Sequence, residues 1–177
     1  MTSLRSSQTL KSFIMKNFPI NHEGKTYWIS RNPAVACFVF AYVNDTWCVL
    51  ANQRGTGAAD FQGMWNAPCG YLDYDETTAQ AAIREVYEET GVKLTSVDFW
   101  EFEDSPNAHL QNITFRYYAI MENPTEEMLK LSIRDRGGEQ NEVGAIAWLP
   151  LDQLNKFKWA FNHGEIINQA AYELGVV

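Results

Sequence analysis

One stretch of 23 residues, Gly70 to Val92, constrains this chain more than any other feature; it reads GYLDYDETTAQAAIREVYEETGV. Glu76 and Glu85 bracket a run of good helix formers. Asp75 or Thr77 is placed to cap that helix, because a short oxygen-bearing side chain accepts from the free backbone N–H groups of a first turn. Ala79, Ala82, Ile83 and Val86 recur at helical spacing and predict a face packed on a sheet. Gly91 is a natural stop, since glycine accepts the left-handed conformation that ends helices.

On such a helix Glu85, Glu88 and Glu89 are spaced i, i+3 and i+4, within an arc of roughly 100°. Carboxylates that close repel one another and weaken the helix. A divalent cation removes the penalty, and oxygen-only ligands favour a hard ion such as Mg²⁺ or Mn²⁺. Arg84 can pair with one carboxylate and hold its rotamer. Gly70 has no side chain, so its backbone carbonyl can approach a metal closely. An isolated acidic run of this kind more often just faces water. The positions of Gly70, Glu76, Arg84 and Gly91 around it argue for a site.

Those positions follow the spacing G-x5-E-x7-R-E-U-x-E-E-x-G-U, with U aliphatic, and every specified position is filled. A chance match in a chain of this length has odds on the order of one in ten million. The chain resembles the Nudix hydrolase family. The segment Gly63 to Pro68 is also similar to the family's G-x-W-x-x-P lead. Cys69 stands where many members have a second glycine, while Gly70 is retained.

The resemblance implies an α/β (α+β) fold, an α/β/α sandwich with a mixed β-sheet between helices. It implies a hydrolase that cleaves the pyrophosphate linkage of a nucleoside diphosphate joined to another moiety. Catalysis of that reaction is mainly charge and positioning. Gly70, Glu85, Glu88 and Glu89 are expected to ligate Mg²⁺ or Mn²⁺, and Glu76 to orient the helix or a ligand. The water-activating base varies in the family. It is a glutamate of the signature helix or one from the loop ahead of the last strand, which here offers Glu139 and Glu142; each is equally readable as an exposed loop carboxylate. Arg54 resembles an arginine that many members carry there, suited to a substrate phosphate, or it is a plain surface arginine. Trp65, Phe61 and Tyr71 border the site in sequence, with Trp65 the aromatic nominated for substrate contact. Trp100 and Trp148 are expected in the core.

Members that hydrolyse ADP-ribose often carry a proline about fifteen residues past the final glycine, and Pro106 lies fifteen after Gly91. ADP-ribose or a nucleotide sugar is therefore the expected substrate. Nucleoside triphosphates are the alternative, ahead of dinucleoside polyphosphates, NADH and capped RNA. A non-catalytic ligand sensor is the reading from another class, although sensors normally carry a damaged signature.

Composition narrows the partners. A net charge of −8 disfavours tracking along nucleic acid, which calls for a basic stripe. It does not disfavour small anionic nucleotides, because metal ions reverse the local sign. No run approaches the roughly 18 apolar residues that cross a bilayer, and no signal peptide is evident. Cys37, Cys48 and Cys69 read as reduced, mostly buried thiols of a cytoplasmic protein. His22, His109 and His163 are too dispersed for a zinc site. A single domain is expected over residues 1–177, with residues 1–32 a lead-in and 70–92 the signature. A homodimer is compatible with this, through residues 17–31.

The remaining elements follow from pattern. Residues 1–17 are expected to be loose or a short helix. Residues 17–31 are extended, with a turn at Glu23-Gly24. Residues 35–52 form a hairpin turning at Asn44-Asp45, and residues 53–67 a glycine-rich loop. Strands are expected over 97–104, 113–121 and 143–149, a polar loop over 134–141, and helices over 125–131, 151–157 and 165–174.

Overall fold

The computed structural model describes residues 17–105, 112–133 and 141–177, the Trp28 side chain excepted. It divides into two compact units between Arg31 and Asn32. In the first, β1 (Phe18–His22) and β2 (Lys25–Ile29) pair antiparallel. The expected turn at Glu23-Gly24 joins them, with φ of 49° and 76°. Two left-handed residues in a two-residue turn match the twist of the strands they connect.

The second unit begins with the expected hairpin, β3 (Pro33–Val43) and β4 (Thr46–Arg54), turning through Asn44 and Asp45 at φ 49° and 60°. Then come β5 (Trp65–Asn66), β6 (Cys69–Tyr71), α1 (Thr78–Thr90), β7 (Asp98–Glu103), β8 (Ile113–Met121) and β9 (Val143–Pro150). A 3-10 turn over Leu151–Lys156 and α2 (His163–Glu173) follow. Among the described residues seven strands make one sheet in the order β5-β4-β3-β8-β7, with β6 also on β3 and β9 also on β4. The β3–β8 pair is parallel and the others are antiparallel, so the sheet is mixed, as expected.

β3 is the centre because it is apolar on both faces. Val35 to Ala41 are all buried, the pattern of a strand covered on both sides. Val35, Cys37, Val39 and Ala41 pack with Ala81, Ala82 and Val86 of α1. Phe38 and Phe40 pack with Ile167, Ala170 and Ala171 of α2. Alternation along one strand therefore builds both cores and fixes the α/β/α layering.

Of the two cap candidates Thr77 is used. It accepts from Gln80 N while the Gln80 side chain accepts from Thr77 N, a reciprocal capping box. Gly91 closes the helix at φ 79°. The buried stripe is Ala81, Ala82, Glu85, Val86, Glu89 and Thr90. Ile83 lies outside the clustered core, so α1 is rotated to draw two glutamates inward in its place.

Three local expectations are corrected. Residues 125–131 form a turn closed by Met128 and Leu129 N–H on the Thr125 carbonyl, not a helix. Leu129 and Leu131 are drawn onto the α1-side core, and the Leu129 carbonyl accepts from Trp148 Nε1. The segment after β9 is 3-10 rather than α-helical. Within the glycine-rich segment, Trp65-Asn66 pairs with Asn52-Gln53 as a short strand. Residues 1–16, Pro106, His109 and 134–140, Glu139 among them, lie outside the described residues. Cys37, Cys48 and Cys69 are free thiols. No helix among the described residues is long and apolar enough to cross a membrane.

Candidate active site

Arg84 organises the signature. Its Nε and Nη2 donate to the two oxygens of Glu76 at 3.0 and 2.6 Å, a bidentate pair. Nη2 also donates to the Tyr71 carbonyl at 3.0 Å. Nη1 donates to Glu85 Oε1 at 2.8 Å and to Glu88 Oε2 at 2.9 Å. One planar cation thus joins the loop before α1 to two carboxylates on the helix, a geometry lysine lacks. The Arg84 hydrogen bonds hold the Glu76 carboxyl below its ordinary range, and the Asp73 N–H donated at 2.7 Å adds to the effect. Glu76 in turn pushes the Arg84 guanidinium further up.

Glu85 is 4% exposed and Glu89 9%. Glu89 Oε2 accepts from Cys69 N–H at 3.2 Å. A Cβ on Gly70 would overlap the Glu85 carboxylate, so any other residue there has to displace that carboxylate. β6 and α1 set Gly70 against the Glu85 carboxylate and the Cys69 N–H against Glu89, and carboxylate and carbonyl oxygens are hard donors of the type Mg²⁺ or Mn²⁺ takes. Among the described residues no three acidic, histidine or cysteine side chains close into a finished metal cage. Glu85 and Glu88 are gathered by Arg84, and Glu89 turns to the Cys69 backbone.

A cavity of about 340 Å³ borders Gly70 and is also lined by Arg54, Asp60, Cys69, Tyr71 and Glu142. Glu142 reaches it through a close loop contact. Gly55 N–H donates to the Glu142 carbonyl at 2.6 Å and Gly57 N–H to the Asn141 carbonyl at 2.9 Å. A Cβ on Gly55 would overlap the Asn141 carbonyl. The loop ahead of β9 is therefore brought to the cavity by a glycine on the opposite loop. Glu85, Glu88 and Glu89 are not in the cavity lining; Gly70 borders both.

Arg54 is not a plain surface arginine. Its side chain is 15% exposed, donates to the Asp60 carbonyl and carboxylate at 2.8 and 2.6 Å, and lies 5.2 Å from the Phe161 ring centre. Tyr71 lines the cavity. Phe61 packs edge-on against Phe161. Trp65 does not line the cavity; it packs on Phe157 against the α2-side core. Trp100 and Trp148 are partly buried against the two cores, as expected.

Sequence reasoning missed Arg116, Phe161 and His163, all of which line the cavity. Arg116 left a signal, a charge inside the otherwise apolar strand ITFRYYAIM, where a buried cation needs a partner. Glu101 is that partner. His163 left none. It is 6% exposed, and burial, with Arg116 and Arg54 nearby, pushes its pKa down to about 3.

The sequence model of the NUDIX domain matches residues 30–170, most of the chain. The chain belongs to the NUDIX domain family. Curated relatives of this NUDIX chain include the putative mutator protein MutT4 of Mycobacterium tuberculosis, 30% identical over 106 residues. That match covers 55% of this chain and 38% of MutT4. Nudix hydrolase 6 of Arabidopsis thaliana is 29% identical over 111 residues, covering 63% of this chain and 37% of that protein. The match thus spans less than two fifths of either relative. Among solved structures, the NUDIX domain of Shewanella oneidensis NrtR complexed with ADP ribose is similar at a TM-score of 0.68 and 25% identity, covering 82% of this chain and 90% of that one.

Proposed function

We propose that this NUDIX chain is a metal-dependent pyrophosphohydrolase acting on a nucleoside diphosphate joined to a second moiety, ADP-ribose or a nucleotide sugar. The observation that carries it is that Arg84 gathers Glu76, Glu85 and Glu88 while Glu85 lies against Gly70, which borders the cavity of about 340 Å³. ADP ribose bound to the similar NrtR domain supports the substrate class.

In this reading Glu85, Glu88, Glu89 and the Gly70 carbonyl hold Mg²⁺ or Mn²⁺. When bound, the ion neutralises phosphate charge and acidifies water. Arg84 and Glu76 keep the carboxylates aligned before the substrate arrives, so less reorganisation is left for the reaction. Arg54 binds a phosphate oxygen from the cavity side. Glu142 accepts the proton of the attacking water, because it borders the cavity and the Gly55 N–H holds its backbone there. Glu139 is the other candidate.

The test is a hydrolysis screen of the purified protein with Mg²⁺ and with Mn²⁺. Substrates are ADP-ribose, nucleotide sugars, nucleoside triphosphates, NADH and a dinucleoside polyphosphate, with Glu88→Gln as control. Turnover of ADP-ribose or a nucleotide sugar that disappears in the variant supports the reading. Turnover confined to triphosphates replaces it with triphosphate pyrophosphatase activity. Tight binding without turnover of anything replaces it with a ligand sensor.

A further inference from the structure

The connector from Trp65 to Gly70 is tied to both helix layers. From the Ala67 N–H to the Cys69 N–H, each backbone polar group has its own partner. The Ala67 N–H donates to His163 Nδ1 of α2 at 3.1 Å. The Ala67 carbonyl accepts from Asn66 Nδ2 at 2.9 Å. The Pro68 carbonyl accepts from the Cys37 N–H of β3 at 2.9 Å, and proline has no N–H to satisfy. The Cys69 N–H donates to Glu89 Oε2 of α1 at 3.2 Å. Cys69 and Gly70 therefore meet Glu89 and Glu85 through a turn whose shape is set elsewhere.

Asn66 closes that turn on itself. Its Nδ2 also donates to Cys69 Sγ at 3.4 Å, so one amide spans residues 67 to 69. Donation to the Ala67 carbonyl fixes which end of the amide is nitrogen. The other end is unsatisfied: Asn66 is fully buried, and its Oδ1 has no hydrogen-bond partner among the described residues. An unpaired buried carbonyl costs stability, and leucine would fill much the same volume without that cost. A residue that breaks a local rule in this way is expected where a site uses it, and what Asn66 has and leucine lacks is the pair of donors. Asn52 supplies the comparison. It stands directly opposite on β4, is buried, and also has an unpaired Oδ1, but it makes neither bond to the connector.

We propose that Asn66 is a positioning residue for the divalent cation: its amide holds the 67–69 turn in the shape that presents the Cys69 N–H to Glu89, and so sets the rotamer in which Glu89 receives the ion. The assignment rests on the metal role proposed for Glu89. Two supports then organise three carboxylates. Arg84 gathers Glu85 and Glu88 from one side, and the clamped connector fixes Glu89 from the other. A carboxylate already held by a fixed N–H loses less freedom when it binds an ion, which raises affinity without any contact between Asn66 and the ion.

The test is calorimetric titration of the full chain with Mn²⁺ in the absence of substrate, for the wild type, Asn66→Leu and Asn52→Leu. Asn66→Leu keeps the volume and removes the donors, and it should weaken Mn²⁺ binding about tenfold, the usual effect of losing a residue that orients a ligand. Asn52→Leu makes the same exchange across the strand pair and should bind as the wild type does. In turnover, Asn66→Leu should raise the half-saturating Mg²⁺ concentration by a similar factor and leave kcat at saturating metal little changed. Asn66→Ala decides by the same titration if Asn66→Leu does not fold. Wild-type Mn²⁺ affinity in the folded Asn66 variant, or an equal loss in Asn52→Leu, would overturn the assignment and leave the metal site standing. Weakened Mn²⁺ binding in Asn66→Leu, with no substrate hydrolysed by the wild type, would remove the pyrophosphohydrolase reading and leave Asn66 in its role. A wild type that binds no Mn²⁺ would remove both.

Discussion

Gly70 and Glu85 share one close-packed space: the carboxylate of Glu85 occupies the volume that a Cβ at position 70 would need. Glu85 is held there by Arg84 and buried, so it cannot move aside cheaply. Gly70→Ala should displace Glu85 and cut turnover by about 100-fold, the effect of an ångström-scale misplacement of a catalytic group. The circular dichroism spectrum should be unchanged. Full turnover in that variant would remove both residues from the site.

Glu88 and Glu76 touch the same guanidinium but should differ in consequence. Glu88→Gln deletes a charge proposed to sit on the metal, worth several kcal/mol or roughly three orders of magnitude in turnover. Glu76→Gln leaves the ligands in place and loosens Arg84, for a loss of about 10- to 100-fold. Turnover and Mg²⁺ titration of both variants check this. The reverse order would make Glu76 the ligand.

Glu142 and Glu139 should separate by turnover. A general base is worth roughly 10²- to 10⁴-fold, so Glu142→Gln should show a loss of that size together with a changed acid limb of the pH–rate profile. Glu139→Gln should show neither. Mild and equal effects would leave the base on the signature helix.

His163 gives the fold a pH dependence. Its pKa is about 3 in the folded protein against 6.5 for an unperturbed histidine, so between those values the unfolded chain binds the extra proton. Stability from the neutral imidazole is fully present above about pH 6.5 and falls as pH drops toward 3, on the order of 1 kcal/mol per pH unit. Urea unfolding at pH 7 and pH 4.5 should show a smaller loss for His163→Asn than for the wild type. Identical losses would mean that His163 is not buried neutral.

Much of the local structure was legible because its causes are local. Thr77, Gly91, Glu23-Gly24 and Asn44-Asp45 act through their own backbone angles and nearest hydrogen bonds, which a sequence displays. Residues 125–131 misled because a weak helical pattern yielded to burial of Leu129 and Leu131 against a distant core. Trp65 misled because closeness to the signature in sequence did not bring its ring to the cavity.

The sequence by itself determined the carboxylate set, the caps and the central apolar strand, since each rests on residue type and short-range spacing. Only the tertiary structure decided that Arg84 spans Glu76, Glu85 and Glu88, that Gly55 admits the loop bearing Glu142, and that Arg116 and His163 line one cavity. Those relations depend on strand register and on which helix covers which face. Contacts between residues far apart in the chain set both, and neither a motif nor a periodicity encodes them.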